Sequence, residues 1–288
     1  MQVGTIESIF RYPLKSAGGE SPDTIDLGLG GIPGDRSWAI RDEVRGGIVG
    51  AKRFSSLMQF SSRLVESSPG GSIRDAEITF PDGQCLSTSE AGISEKISEV
   101  LGQAVTLWPL IPASELDHYR RGQAVHDDME TELRAIFGRT AGESLPDLST
   151  FPPEVLHFAS PPGTYFDAFP LLVMTSTSLS TLASKAAGSR YDVRRFRPNF
   201  LISGADESRP FPESEWCGKR LRMGEAEIEV VMECPRCVMT THGFGDLPND
   251  PGIMRTLVRE AGGNLGVYAN PVRAGRVQTG DVVELLTA

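Results

Sequence analysis

Glycine and proline interrupt this chain so often that long helices have little room in it. The 31 glycines and 20 prolines of its 288 residues fall between short apolar runs, which suits strands joined by turns. Strand patterns recur over 3–12, 24–27, 35–40, 64–66, 77–80, 85–87 and 105–108, with Pro81-Asp82-Gly83 as a clear turn signal. One helix, with apolar residues near helical spacing, is predicted over 92–101. Further on, 169–174 reads as a buried strand feeding a helix over 179–187. Strands follow at 200–202, 221–232, 265–269 and 281–286, with another helix over 252–261. The prediction is a mainly β chain with some helix (α+β), built on a barrel or sandwich. The stretch 109–162 is polar and proline-rich, with a helix over 127–137, and reads as a connection or a cover over a site.

Length and charge narrow the function. A chain of this size holds two domains or one large one, with ample core. A formal net charge of -10 argues against nucleic acid and against an anionic membrane as partner. No apolar run approaches the length of a membrane span, and the N-terminus enters a strand pattern directly, without a signal peptide. A cytoplasmic protein with its four cysteines reduced is therefore expected.

Several segments carry anion-binding chemistry. Lys15-Ser16-Ala17-Gly18-Gly19 is either a solvated turn or an anion site, with an amine and a hydroxyl beside glycines that let backbone N–H groups approach. Arg36, after Gly34-Asp35, either pairs with a nearby acid or faces the same anion. Thr175, Ser176, Thr177 and Ser178 precede the predicted helix; one hydroxyl suffices as a cap, and the rest suggest a helix N-terminal anion site. Arg194, Arg195 and Arg197, then Pro198-Asn199, need acidic partners, either carboxylates of the chain or a phosphate, which a guanidinium fork suits. Asn199 either hydrogen-bonds a ligand or stabilises the turn.

The stretch with the most chemistry is Glu233-Cys234-Pro235-Arg236-Cys237. Proline between the cysteines ends the preceding strand and places the thiols at its tip. A thiol beside arginine gains thiolate character, the form that binds soft metals. His118, His126 and His157 lack metal-ligand spacing, whereas His242 follows the cysteines closely.

Together these motifs resemble one family. Arg11-Tyr12-Pro13-Leu14-Lys15-Ser16 and Gly34-Asp35-Arg36 resemble the N-terminal domain that accompanies MOSC domains. Arg195-Phe196-Arg197-Pro198-Asn199, Cys234-Pro235-Arg236-Cys237-Val238-Met239-Thr240-Thr241 and Gly280-Asp281 resemble the MOSC domain itself. The resemblance implies a MOSC-type β-barrel over 113–288 and a β-rich N-terminal domain over 1–112, whose first strands are free to pack with the barrel. It implies a molybdenum cofactor of the molybdopterin type, with Cys237 as the metal ligand. Lys15, Ser16, Arg36, Arg195, Arg197 and Asn199 fall to its binding, with Thr175 and Ser176 as a less exact match. Within this family the amidoxime-reducing components and the bacterial reductases of N-hydroxylated bases imply a reductase of small N-hydroxylated substrates. His242 becomes a candidate proton donor, since an ordinary histidine pKa suits proton delivery near neutrality.

The remaining cysteines, Cys85 and Cys217, cannot complete an iron–sulfur motif, so electrons are expected from a separate protein of ferredoxin, flavoprotein or cytochrome type. Two other readings stay open. Cys237 in a cofactor carrier or sulfur-transfer protein is one, although the chain has no room for a pyridoxal-phosphate domain. The other is a structural zinc held by Cys217, Cys234, Cys237 and His242.

Overall fold

A computed structural model describes residues 1–65 and 74–286. The first half of the chain is nearly all strand: β1 Gln2–Ile9, β2 Thr24–Leu27, β3 Trp38–Asp42, β4 Ile48–Val49, β5 Ser61–Leu64, β6 Ala76–Thr79 and β7 Cys85–Ser87. Helix α1, Ile93–Leu101, and β8, Val105–Pro109, complete it. Three short helices follow: α2 Leu116–Tyr119, α3 Met129–Phe137 and α4 Glu154–His157. Then come β9 Leu171–Thr175, α5 Ser176–Lys185, β10 Phe200–Ser203, β11 Arg220–Met223 and β12 Ala226–Pro235. Helix α6, Gly252–Ala261, precedes β13 Asn264–Arg273, β14 Gly275–Gln278 and β15 Val282–Leu286.

Seven strands close a barrel in the order β1-β10-β9-β13-β12-β11-β15. The first and last strands of the chain meet to close it, with Thr5 opposite Val282. Alternation explains the core: Ala226, Ile228 and Val230 of β12 point inward to join Ile6, Val173, Phe200, Leu221 and Val267. Burying one such large aliphatic or aromatic side chain contributes ~1.5–3 kcal/mol. Closure also leaves no exposed edge. Outside the barrel wall, Met174 and Leu201 pack under α5 and α6 through Leu182, Ile253 and Leu257.

The N-terminal half forms two three-stranded sheets, β4-β3-β8 and β5-β6-β7, around Leu14, Ile40, Leu57, Phe60, Ile78 and Ile97. A small sheet, β2 with β14, ties the two halves of the chain together. The segment between β8 and β9 carries little core of its own. Helix α3 has no buried residue, while Tyr119 and Tyr165 are fully enclosed against Ala39 and Ile48.

Three sequence expectations are corrected. The run 221–232 is not one strand but a hairpin, β11 and β12, turning at Gly224-Glu225. Gly224 has φ +55°, and a Cβ there would strike the Asp281 carboxylate. The helix expected from residue 179 starts at Ser176, because Thr175 itself accepts the Ser178 N–H as its cap. The strand ahead of the cysteine pair ends, as expected, at the proline between them. Strand β12 carries Cys234 within it and ends on Pro235, opposite Asn264. The strand expected over 64–66 is β5, three residues earlier, and Glu66 lies outside the described residues.

The topology gathers one set of loops. Ile9 pairs with Phe200 and Phe200 with Val173, so the end of β1 and the starts of β10 and β9 lie side by side. The loops holding Tyr12 to Ser16, Asp167 and Arg197 therefore converge at one end of the barrel.

Candidate anion and thiolate site

Tyr12 is the centre of the cationic group. Its hydroxyl donates to the Pro198 carbonyl at 3.0 Å, fixing the ring between two guanidinium groups. Arg197 lies 4.2 Å and Arg36 5.0 Å from the ring centroid, within cation–π range. Buried Asp35 accepts from the Tyr12 N–H at 2.7 Å, from Asn199 Nδ2 at 3.0 Å and from Arg36 Nη1. Arg197 has no carboxylate of its own. Its Nη1 donates to the Ala17 carbonyl, and its buried Nη2 has no partner among the described residues. Burial first, and the neighbouring charge of Arg36 second, push the Arg197 pKa down to about 10. Burial also opposes the charge on Arg36, but Asp35 outweighs it and holds that group above its ordinary value.

Backbone strain marks the same residues. Among the described residues, the non-glycine positions with positive φ are Ser16 (71°), Arg36 (48°) and Arg197 (56°). A left-handed residue bearing a side chain costs about 1 kcal/mol or more, and such strain concentrates at ligand sites. All three were singled out from sequence, and the fold brings them together. Two glycines make room for them. Gly34, with φ +82°, has Leu64 where a Cβ would stand, and a side chain on Gly50 would strike the Ser16 hydroxyl.

Lys15 joins from the same loop as Ser16. It is 7% exposed, and its Nζ donates to the Tyr165 carbonyl at 2.7 Å and to Asp167 Oδ1 at 2.9 Å. Burial lowers its pKa, partly opposed by Asp167. Lys52 reaches the same carboxylate oxygen at 3.5 Å. Protein encloses Asp167 on several sides although 45% of its side chain stays open. That enclosure would raise its pKa, but Lys15 and Lys52 prevail and hold it far below the carboxylate range. Lys52 and Asp167 were not found in the sequence: neither sits in a motif, and Asp167 belongs to the segment before β9. Across the cluster, Lys15, Lys52, Arg36 and Arg197 outnumber Asp35 and Asp167 by two charges in a chain of net -10. An anion with charge near minus two would balance it.

The cysteines divide their roles. Cys234 is 1% exposed, and Arg236 Nη1 contacts its sulfur at 3.2 Å. Burial raises the Cys234 pKa more than Arg236 lowers it, so this thiol stays protonated. The arginine between the cysteines therefore faces Cys234, not Cys237, which corrects the sequence expectation. Cys237 is half-buried and stands just before the turn Val238–Thr241. It packs against the N-terminal core cluster that includes Leu14, Ala17 and Ala51, the chain neighbours of Lys15, Ser16 and Lys52. His242 donates or accepts through Nε2 with the Ala51 carbonyl at 3.0 Å; against a carbonyl the ring nitrogen must donate. Burial lowers the His242 pKa. Among the described residues no three His, Cys, Asp or Glu side chains group as metal ligands, which removes the zinc reading.

Four of the expected contacts do other work. Arg195 is 1% exposed and donates to the carbonyls of Arg190 (3.1 Å), Thr240 (3.3 Å), His242 (2.8 Å) and Pro248 (2.7 Å). It braces the loop after Cys237 instead of turning to a ligand. Asn199 bridges Leu172 N–H, through Oδ1 at 3.1 Å, to Asp35, so its amide positions the arginine pair from behind. Thr175 ends β9 on the face of Leu171 and Val173, inside the barrel wall and at the far end from Asn199. Thr175 and Ser178 donate to buried Glu213 at 2.7 and 2.6 Å, and the Ser176 hydroxyl lies 3.4 Å from the Ile202 carbonyl. Neither Thr175 nor Ser176 joins the cluster.

Glu213 yields a prediction. Its carboxyl pKa is raised, chiefly by burial, so the native state keeps a proton that the unfolded chain has lost. Stability from this group is therefore greatest in acid and falls as pH rises through the ordinary glutamate range toward the raised value. Glu213→Gln is expected to gain stability relative to the parent as pH rises above the ordinary glutamate range, measured by thermal melts. A pH-independent difference would show that Glu213 is not the titrating group.

The MOSC N-terminal beta barrel domain matches residues 3–99 and the MOSC domain residues 155–284. The chain belongs to the MOSC family, and it carries that family's N-terminal domain as well. It is 28% identical over 250 residues to mitochondrial amidoxime reducing component 2 of Homo sapiens, covering 83% of this chain and 67% of that protein. Against the human mitochondrial amidoxime-reducing component 1, identity is 26% over 274 residues, with 88% and 69% covered. The match thus spans about two thirds of the length of these relatives. Among solved structures, the YUAD protein from Bacillus subtilis is loosely similar at 14% identity and TM-score 0.44, covering 98% of this chain and 95% of that one. No described helix is long and apolar enough to cross a membrane.

Proposed function

We propose that this protein holds a molybdenum-bearing pterin by its phosphate and reduces N-hydroxylated compounds, with Cys237 as the metal's protein ligand. The observation that carries the reading is the meeting of Lys15 with Arg36 and Arg197, the two arginines on strained backbone, while Cys237 packs against the core cluster next to the Lys15 loop. The donor set fits such a group: an excess of two cations, a buried Arg197 Nη2 without a partner among the described residues, and a half-buried thiol. Lys15, Ser16, Arg36 and Arg197 would bind the phosphate end. When bound, the metal would supply two-electron removal of oxygen from an N–O bond. The family resemblance and the relatives named for amidoxime reduction support this class of reaction.

The chain's own residues hold and orient. Arg195 and His242 fix the segment after Cys237, the first through backbone carbonyls and the second against Ala51 of the N-terminal half. His242 is held by its hydrogen bond to the Ala51 carbonyl, and burial lowers its pKa, so its contribution is to position the loop. Two electrons per turnover come from a separate ferredoxin, flavoprotein or cytochrome. The test is turnover of an aryl amidoxime by molybdenum-loaded protein with a reduced viologen dye. Amidine formation is expected. Loaded protein inert toward N–O substrates would overturn the reductase and favour a carrier.

Arg197 should show a trade between stability and binding. Removing a desolvated charge that lies against Arg36 is expected to raise unfolding free energy by ~1–2 kcal/mol in Arg197→Met. Pterin content of the purified protein should fall in the same variant. Lower stability with unchanged pterin would make Arg197 a purely structural residue.

A further inference from the structure

The two carboxylates among the site's cations are held very differently. Asp35 is fixed: its side chain is fully buried and accepts from Tyr12 N–H, Asn199 and Arg36. Among the described residues Asp167 has as partners only the two lysines it neutralises, Lys15 at 2.9 Å and Lys52 at 3.5 Å, and 45% of its side chain is open. It belongs to the segment after Tyr165, whose carbonyl takes a second hydrogen from Lys15 at 2.7 Å. Lys15 thus keeps a backbone partner even when its carboxylate partner leaves. An arriving anion meets Lys15 and Lys52 with Asp167 already bound to them.

We infer that Asp167 is a specificity-determining residue, an internal competitor that keeps monoanions out of the site and yields only to a phosphate. The inference rests on the phosphate-binding reading above. A carboxylate or chloride offers the lysines no more charge than Asp167 does, and it lacks the advantage of being tethered. A phosphate brings nearly two charges and three acceptor oxygens, enough to engage Arg36 and Arg197 along with the lysines. Asp167 therefore lowers affinity for every anion but lowers it most for singly charged ones. Its low pKa keeps it charged through the neutral range, so competition does not fade with mild acidification.

The test is a titration of the full chain with inorganic phosphate and, separately, with acetate, followed by calorimetry and by the amide spectra of residues 14–18. Asp167→Asn keeps the side-chain shape and removes the charge. It is expected to tighten phosphate at least about tenfold and to make acetate binding measurable, since about 1.4 kcal/mol of relieved competition is a factor of ten. Asp167→Glu should restore the parent's discrimination against acetate. Lys15→Ala should weaken phosphate in every background. Unchanged or weaker phosphate binding in Asp167→Asn would overturn the competitor role while leaving the anion site standing, provided Lys15→Ala still shows its loss. Phosphate binding indifferent to both Lys15→Ala and Asp167→Asn would overturn the anion site as well.

Discussion

Cys237→Ser is expected to leave a folded protein that retains less than about one hundredth of the parent's molybdenum-dependent turnover, because loss of even an outer partner of a metal ligand costs 10–100-fold. The thiol is half-buried and makes no cap hydrogen bond to the short turn that follows it, so the melting temperature should barely move. Cys234→Ser makes the contrast. That thiol is enclosed, protonated and in contact with Arg236, and its replacement should cost stability while metal content stays. Metal analysis, turnover and thermal melts on both variants check this pair. Full turnover in Cys237→Ser would remove Cys237 from the chemistry. Loss of metal in Cys234→Ser alone would exchange the two roles.

The second large effect belongs to Arg195. Its guanidinium serves carbonyls at Arg190, Thr240, His242 and Pro248 from a site almost closed to water. Alanine leaves those acceptors unsatisfied around a cavity, at a cost of ~3 kcal/mol or more. For a chain of this size that lowers the melting temperature by roughly 6–12 °C. Lysine should not rescue it, since one ammonium cannot span the positions a planar fork reaches. The neighbouring Arg197→Met is expected to move stability the other way, so two arginines of one motif would answer to different demands. A melting temperature unchanged in Arg195→Ala would mean the loop after Cys237 is held by other contacts.

That contrast shows what sequence could and could not reveal. The rhythm of short strands was legible because glycine and proline punctuate it, and each missed boundary had a local cause. The β11–β12 turn was hidden because Gly224 lies inside an alternating run. Arg195 and Arg197 look equivalent in sequence. The positive φ at Arg197 sends its side chain to Tyr12, while Arg195 faces the loop after Cys237. Thr175 and Ser176 drew attention through hydroxyl density, which also suits a buried cap, and only the face of β9 decides between the two. Lys52 and Asp167 were invisible because their significance comes from Asp167 meeting Lys15 and Lys52 across more than a hundred residues of chain. Ser16, Arg36 and Cys237 were legible because each sits in a motif whose residue types already imply its chemistry.

The measurement closest to the central claim is the metal and pterin content of protein expressed with molybdate, by elemental analysis and by fluorescence of the oxidised pterin. The account predicts about one molybdenum and one pterin per chain, as expected where a bound cofactor carries the chemistry, with both falling in Arg197→Met. Zinc without pterin, or protein that fails to take up pterin when reloaded, would contradict it and leave the MOSC fold without the proposed chemistry.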